Sequence, residues 1–416
     1  MTIKELHKLF SKSEGIATDT RKIKKNTLFF ALKGENFNGN DYAREAIEKG
    51  ASYAIVDEIQ QQTSKQIILV DNVLTTLQKL AKYHRKKLNT TVIALTGSNG
   101  KTTSKELINV VLSKKFTTTA TIGNLNNHIG VPLTLLSMDH LTKIGIVEMG
   151  ANHLKEIELL TSIAAPDYGY ITNFGKAHLE GFGNFKNIIK GKTELYDYLY
   201  KNNGKAFVNI TDSIQKERSK HLQTILFGEE TQLKQADPFV EVSYQNCSIK
   251  TKLVGSYNFN NINAAIAIGN YFGLEKEAIK EAIEDYNPSN NRSQMLTKGD
   301  SKILLDAYNA NPSSMKAALK NFKNVNAVHK TVILGDMFEL GETSIHEHQI
   351  IADLATSLDF NTVFLIGENF SKTKNEKAIY HMSFENFQKS FKKQKNTCFL
   401  IKGSRGMSLE RVLELL

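Results

Sequence analysis

Cysteine is scarce: Cys247 and Cys398 are the only two in 416 residues. Two thiols cannot build a disulfide framework or a cysteine zinc cluster, and a reducing, cytoplasmic setting fits that usage. Long apolar runs are missing too. No stretch approaches the ~18 residues of a membrane span, and Met1 to Arg21 has no apolar core of signal-peptide length, so no integral membrane contact is expected. No repeat of fixed period is visible. There is also no basic stripe with interleaved aromatics. Clusters such as Lys22-Ile23-Lys24-Lys25 and Arg85-Lys86-Lys87 read as solvated surface, and no nucleic-acid partner is expected.

What is present is an ordinary globular composition, with 41% hydrophobic and 23% charged residues. At roughly 100–200 residues per domain the length predicts two to four domains. Basic residues outnumber acidic ones 53 to 43, a surplus of +10 that points to anionic partners. Three α/β blocks are expected, 1–85, 86–291 and 292–416. The first holds strand-like stretches over 27–32, 53–56 and 67–70, then a helix carrying Leu74, Leu77, Leu80, Ala81 and His84. The second opens on Thr91-Val-Ile-Ala-Leu-Thr96 and continues through strands at 144–147 and 168–172, a parallel sheet. An Asn/Ser/Pro segment over 287–293 reads as a linker. Strands at 303–305, 331–334, 362–366 and 398–401 then alternate with helices in a smaller doubly wound, Rossmann-like domain.

The loop Gly97-Ser98-Asn99-Gly100-Lys101-Thr102-Thr103 lies between the strand at 91–96 and a helix expected over 105–114. Glycine backbone there can wrap a phosphate, Lys101 adds positive charge, and the Thr102 hydroxyl is placed for Mg²⁺. Leu95 stands where the longer phosphate-loop pattern has its first glycine, so the short form T-G-x-x-G-K-T is what is present. A glycine-rich turn without nucleotide is the competing reading. Glu148 closes an apolar strand, where nucleotide-bound magnesium sits in parallel sheets. His178 follows the next strand. Lys192 falls on the apolar face traced by Phe185, Ile188, Ile189, Leu195, Tyr196 and Leu199. A buried lysine tends to lose its charge, and a neutral amine can add CO₂; a lysine snorkelling to water is the alternative.

The short phosphate loop resembles that of the Mur ligase superfamily, ATP-dependent amide-forming enzymes. The resemblance implies ATP binding by residues 97–103, and two Mg²⁺ sites held by Thr102, Glu148, His178 and a carbamylated Lys192. With Lys101, the residues Glu148, His178 and Lys192 are the expected catalytic set. Gly255-Ser-Tyr257-Asn258-Phe-Asn-Asn261 resembles a family segment near adenine, with Tyr257 in place of the usual histidine. Asn258 and Asn261, with Arg292 beyond the linker, are therefore expected at the nucleotide.

Other motifs resemble those superfamily members that add D-alanyl-D-alanine to a UDP-MurNAc-tripeptide through an acyl phosphate. Thr18-Asp19-Thr20-Arg21 and Lys33-Gly34, with Asn38 and Gly39, look like a uridine-diphosphate pocket. Asn126-Asn127-His128 is similar to a substrate-facing loop. Asp306-Ala-Tyr308-Asn309-Ala-Asn311-Pro-Ser-Ser-Met, the Leu-Gly-Asp336 turn and Lys402-Gly-Ser-Arg405 resemble the dipeptide-binding elements. Arg405 would pair with the dipeptide carboxylate. The implied partners are small molecules: ATP, UDP-MurNAc-tripeptide and D-Ala-D-Ala. A cytoplasmic monomer is expected, with hinge closure near residues 287–292 on binding.

Overall fold

The computed structural model describes residues 1–288 and 292–416. Residues 289–291, inside the expected linker, lie outside the described residues. The chain forms three α/β bodies, each built on its own sheet. In the first, Ile16–Ala17, Leu28–Phe30, Tyr53–Val56 and Ile67–Leu69 lie side by side and parallel. Leu28, Phe29 and Phe30 are all buried, which explains their unbroken apolar run.

Asn72 starts the helix Val73–Lys87 by accepting from the Thr75 amide at 2.8 Å. Leu77 and Leu80 are fully buried along this helix, which packs on the central-domain helix Gly130–Leu136. Each such burial contributes about 1.5–3 kcal/mol. The helix end corrects one expectation: Arg85 is not solvated surface. Its Nε donates to the Ala164 carbonyl and its Nη2 to Ala165 and Asp167, all near 3.0 Å. The other cluster, Lys22, Lys24 and Lys25, is exposed as expected.

The central sheet runs Gln223–Phe227, Lys205–Asn209, Tyr168–Ile171, Thr91–Thr96, Ile144–Glu148, Thr118–Ala120, entirely parallel. The phosphate-loop strand thus lies inside the sheet, flanked on both sides. A three-stranded antiparallel sheet, Thr231–Gln235, Phe239–Tyr244 and Cys247–Val254, sits on this body. Its period-two alternation of buried and exposed positions is the signal that marks it in the sequence.

The third sheet runs Gln294–Lys298, Ser301–Asp306, Thr397–Lys402, His329–Gly335, Thr362–Ile366, Ile379–His381; only the first strand is antiparallel. The C-terminal strand edges of the central and third sheets carry loops that face one another. Among the described residues no helix is long and apolar enough to cross a membrane.

Candidate functional site

The strand Thr91–Thr96 delivers the chain into a turn that only glycine tolerates at two points. Gly97 has φ +144°, and a Cβ there would stand 2.0 Å from the Thr172 hydroxyl. Gly100 has φ +78° and would drive a Cβ into Asn261. The helix Lys101–Leu112 begins at the lysine itself, four residues before the expected start, because left-handed Gly100 serves as its cap. Lys101 Nζ folds back onto the carbonyl of Gly97 at 2.8 Å. Burial pulls its pKa below the usual lysine value, opposed by the charge of Glu148.

Glu148 is 1% exposed, so its carboxylate needs partners. Thr102 Oγ1 donates to Oε2 at 3.0 Å and Asn126 Nδ2 to Oε1 at 2.8 Å. Lys105 Nζ lies 4.0 Å from Oε2. Sequence reading missed Lys105; its place four residues after Lys101, on the same helix face, was the available signal.

A cavity of about 770 Å³ opens over this loop. Ser98, Asn99, Gly100, Lys101, Thr102 and Thr103 line it, with Asn126, Asn127 and His128 from the loop before Gly130–Leu136. Glu148, His178, Asn258 and Asn261 line it as well, and the third domain contributes Arg292, Asp306, Tyr308 and Asn309. Gly97 supports the loop from behind. Arg292 stacks 3.8 Å over the Tyr308 ring, and its buried Nε has no hydrogen-bond partner among the described residues. An unpartnered guanidinium N–H on a residue that lines the cavity suits an anionic ligand. Asn258 and Asn261 also have structural work: Asn261 Nδ2 donates to Asn258 Oδ1 at 2.8 Å and Ser104 donates to Asn261 Oδ1 at 3.0 Å. Tyr257 lines the cavity and meets the Ser293 hydroxyl at 2.8 Å.

His178 has φ +54°, and its Nδ1 meets the carboxylate of Glu339 from the third domain. That hydrogen bond, then burial opposing it and the charges of His178 and Lys101 reinforcing it, leaves Glu339 below the usual carboxylate range. Lys192 is 1% exposed and stays behind the cavity wall, donating to the Ala151 carbonyl at 3.0 Å. Burial, then the charge of Lys101, holds its pKa well below the usual lysine value. Among the described residues no group of three His, Cys, Asp or Glu side chains is placed to hold a metal alone. Mg²⁺ takes one or two carboxylates and completes its octahedron with phosphate oxygens and water, and the Glu148 carboxylate beside the Thr102 hydroxyl suits that donor set.

In the third domain, Asp306 Oδ2 pairs with buried Lys402 at 2.5 Å, and Lys402 also donates to the Asn309 carbonyl at 3.0 Å. Asn311 caps the helix Pro312–Asn324 through the Ser314 amide. A second cavity of about 210 Å³ lies beside it, lined among others by Asn311, Glu339 and Arg405.

Asp336 is the expected substrate contact that the structure turns elsewhere. It lines neither cavity, because its two oxygens accept from the backbone amides of Phe370 and Asn369 at 2.9 Å and pin that loop. The first-domain set also lies outside both cavities. There Arg21 pairs with Asp19 at 2.7 Å and holds its pKa at about 2. Thr18 and Thr20 flank that pair. Lys33 bridges Asp57 and Glu58 at 3.1 and 3.0 Å, in a small hairpin that includes Gly34 and Asn38. Gly39 packs under the Leu32 carbonyl, where no Cβ would fit.

Comparison with known proteins matches all three bodies. The family descriptions "Mur ligase family, catalytic domain", "Mur ligase middle domain" and "Mur ligase, glutamate ligase domain" match residues 12–85, 95–269 and 291–405. The UDP-N-acetylmuramoyl-tripeptide--D-alanyl-D-alanine ligase of Bacillus subtilis (strain 168) is 32% identical, covering 96% of this chain and 92% of the relative. The enzyme of that name from Escherichia coli (strain K12) is 30% identical, with 97% and 93% covered. Among solved structures, a MurF ligase from Thermotoga maritima in complex with ADP superposes with a TM-score of 0.86 at 27% identity, covering 98% of this chain and 97% of that one. MurF from Acinetobacter baumannii gives 0.85 at 28% identity, with 100% and 98% covered.

Proposed function

The chain belongs to the Mur ligase family, and from that premise we propose that it joins D-alanyl-D-alanine to UDP-N-acetylmuramoyl-tripeptide at the expense of ATP. The products are the UDP-MurNAc-pentapeptide, ADP and phosphate, and the setting is peptidoglycan precursor synthesis in the cytoplasm, by a monomer. The observation that carries the reading is one cavity lined by both the phosphate loop around Lys101 and the Asp306–Asn309 motif of the third domain. The domain limits that accompany it are 1–85, 86–291 and 292–416; every strand pairing among the described residues falls within one of them.

A carboxylate is a poor electrophile, so it is first phosphorylated. An oxygen of the tripeptide carboxylate attacks the γ-phosphorus of ATP, the bond to the β-phosphate oxygen breaks, and ADP leaves. Lys101 and Arg292 hold phosphate oxygens in line during that transfer. Thr102 and Glu148 would hold one Mg²⁺, and His178 with a carbamylated Lys192 a second. When bound, the metal supplies neutralisation of the phosphate charge. The buried, readily neutral amine of Lys192 supports carbamate formation. His178 and Lys192 would each have to leave their present partners, Glu339 and Ala151, to serve there. The dipeptide amine then attacks the acyl carbon and loses a proton, and phosphate departs. The Thr18–Arg21 and Lys33–Gly39 regions take the UDP moiety, and Arg405 the dipeptide carboxylate.

The test is phosphate release with ATP and UDP-MurNAc-tripeptide, with D-Ala-D-Ala present or omitted. Release is expected only with all three. Turnover that ignores the dipeptide overturns the reading.

A further inference from the structure

We infer that Glu339 anchors the ammonium group of the incoming dipeptide, seated in the small cavity between the central and third domains; this rests on the ligase reading above. The cavity, about 210 Å³, is below the size class of nucleotide sites and fits a small ligand. Besides His178, the described residues of its lining are charged at two points, Glu339 and Arg405, the latter paired with Glu410 at 2.9 Å. A zwitterionic dipeptide presents the matching pair, an ammonium at one end and a carboxylate at the other.

Elimination strengthens the assignment. The large cavity has three carboxylates in its lining, Glu148, Glu156 and Asp306. Glu148 is held by Thr102 and Asn126, Asp306 by Lys402, and Glu156 by the amides of Asn152 and His153. Among the described residues Glu339 is the one acid lining the small cavity, and half of its side chain is open to solvent. Its partner is His178, which with Asn309 borders both cavities. An ammonium taking that place would lie beside His178, at the border shared with the cavity over the phosphate loop.

The backbone holds Glu339 for this position. Glu339 and His178 both have left-handed φ, +60° and +54°, although neither is glycine. Such residues persist where surrounding contacts over-determine them, and they cluster at ligand clamps. Here the Glu180 amide donates to the Glu339 carbonyl at 3.1 Å across the domain boundary.

The wild-type protein gives the first measurement. N-isobutyryl-D-alanine replaces the dipeptide ammonium by a methyl group and keeps everything else. Its inhibition constant is expected to exceed the KM for D-Ala-D-Ala by about 10- to 100-fold, the range of one charge-assisted hydrogen bond. Glu339→Gln should raise the dipeptide KM by a similar factor and erase most of that preference, leaving the KM values for ATP and UDP-tripeptide within about twofold. Glu339→Asp should recover part of it. A purely structural latch would lower kcat or stability without moving the preference for the amine. Equal binding of the two ligands by the wild-type protein, or an unchanged preference in folded Glu339→Gln, overturns the inference. Absence of dipeptide-dependent phosphate release in the wild type would instead sink the ligase reading itself.

Discussion

The side-chain amide of Asn311 donates to the side-chain oxygen of Asn99 at 2.7 Å, tying the first turn of a third-domain helix to the phosphate loop of the central domain. The same Asn311 caps its helix by accepting from the Ser314 amide at 2.9 Å. One residue thus links helix stability to domain placement, and two substitutions separate the roles. Asn311→Asp keeps the cap and removes the donor, so stability should stay within about 0.5 kcal/mol while turnover falls several-fold. Asn311→Ala should also lower stability by about 1 kcal/mol. Thermal unfolding read beside phosphate release checks both.

That contact, with Lys176 N–H donating to the Ser313 hydroxyl at 3.0 Å, describes a third domain already resting on the loop. ATP analogue and UDP-tripeptide should draw the solution ensemble further toward this arrangement. Small-angle scattering should record a smaller radius of gyration with both ligands than without; an identical radius counts against closure.

Lys101 is the residue proposed to reach the phosphates, and its Nζ closes on the Gly97 carbonyl of its own loop. Lys101→Met should leave the protein folded and reduce phosphate release by about 100-fold or more, the scale seen on removing a preorganised donor. Residual activity above a tenth of wild type would remove Lys101 from the transfer step.

Lys192 makes a paired prediction for activity and stability. Its pKa is depressed in the folded protein, so the unfolded chain binds the proton more tightly. Below the folded pKa both states are charged and the full burial penalty applies; between that value and about 10.4 the penalty fades, so stability rises with pH. Lys192→Met should therefore be at least as stable as wild type at pH 7, with the advantage shrinking in alkali. Lys192→Ala should lose most activity and regain part of it with short carboxylates. Unchanged turnover in the alanine variant would refute a catalytic role.

Arg85 is where surface chemistry turned out to be a domain joint. Arg85→Ala removes two bonds to carbonyls and the pair with half-exposed Asp167, and should cost about 2 kcal/mol, seen as a lower midpoint of unfolding with near-normal KM values.

Arg85 also shows where reading the sequence stops. Three basic residues in a row look alike to a composition argument, and only the packing of Val73–Lys87 on the central domain distinguishes Arg85. The spacing of Lys105 from Lys101 puts both on one helix face, but its approach to Glu148, far along the chain, is a matter of packing. Asp336 shows a related limit: a polar residue at a strand end can hold a ligand or a neighbouring loop, and local sequence does not say which.

What the sequence determined by itself was everything carried by short-range rules. Apolar strands, the Gly97 and Gly100 turn, a helix following that turn, and Glu148 at a strand end follow from φ freedom, side-chain period and the unpaired amides of a helix start. The tertiary structure decided which of these groups meet. It placed His178 against Glu339, Asn99 against Asn311, and Arg292 over Tyr308. The first two of those pairings cross a domain boundary, so their geometry depends on how whole sheets and helices pack, and no local periodicity encodes it.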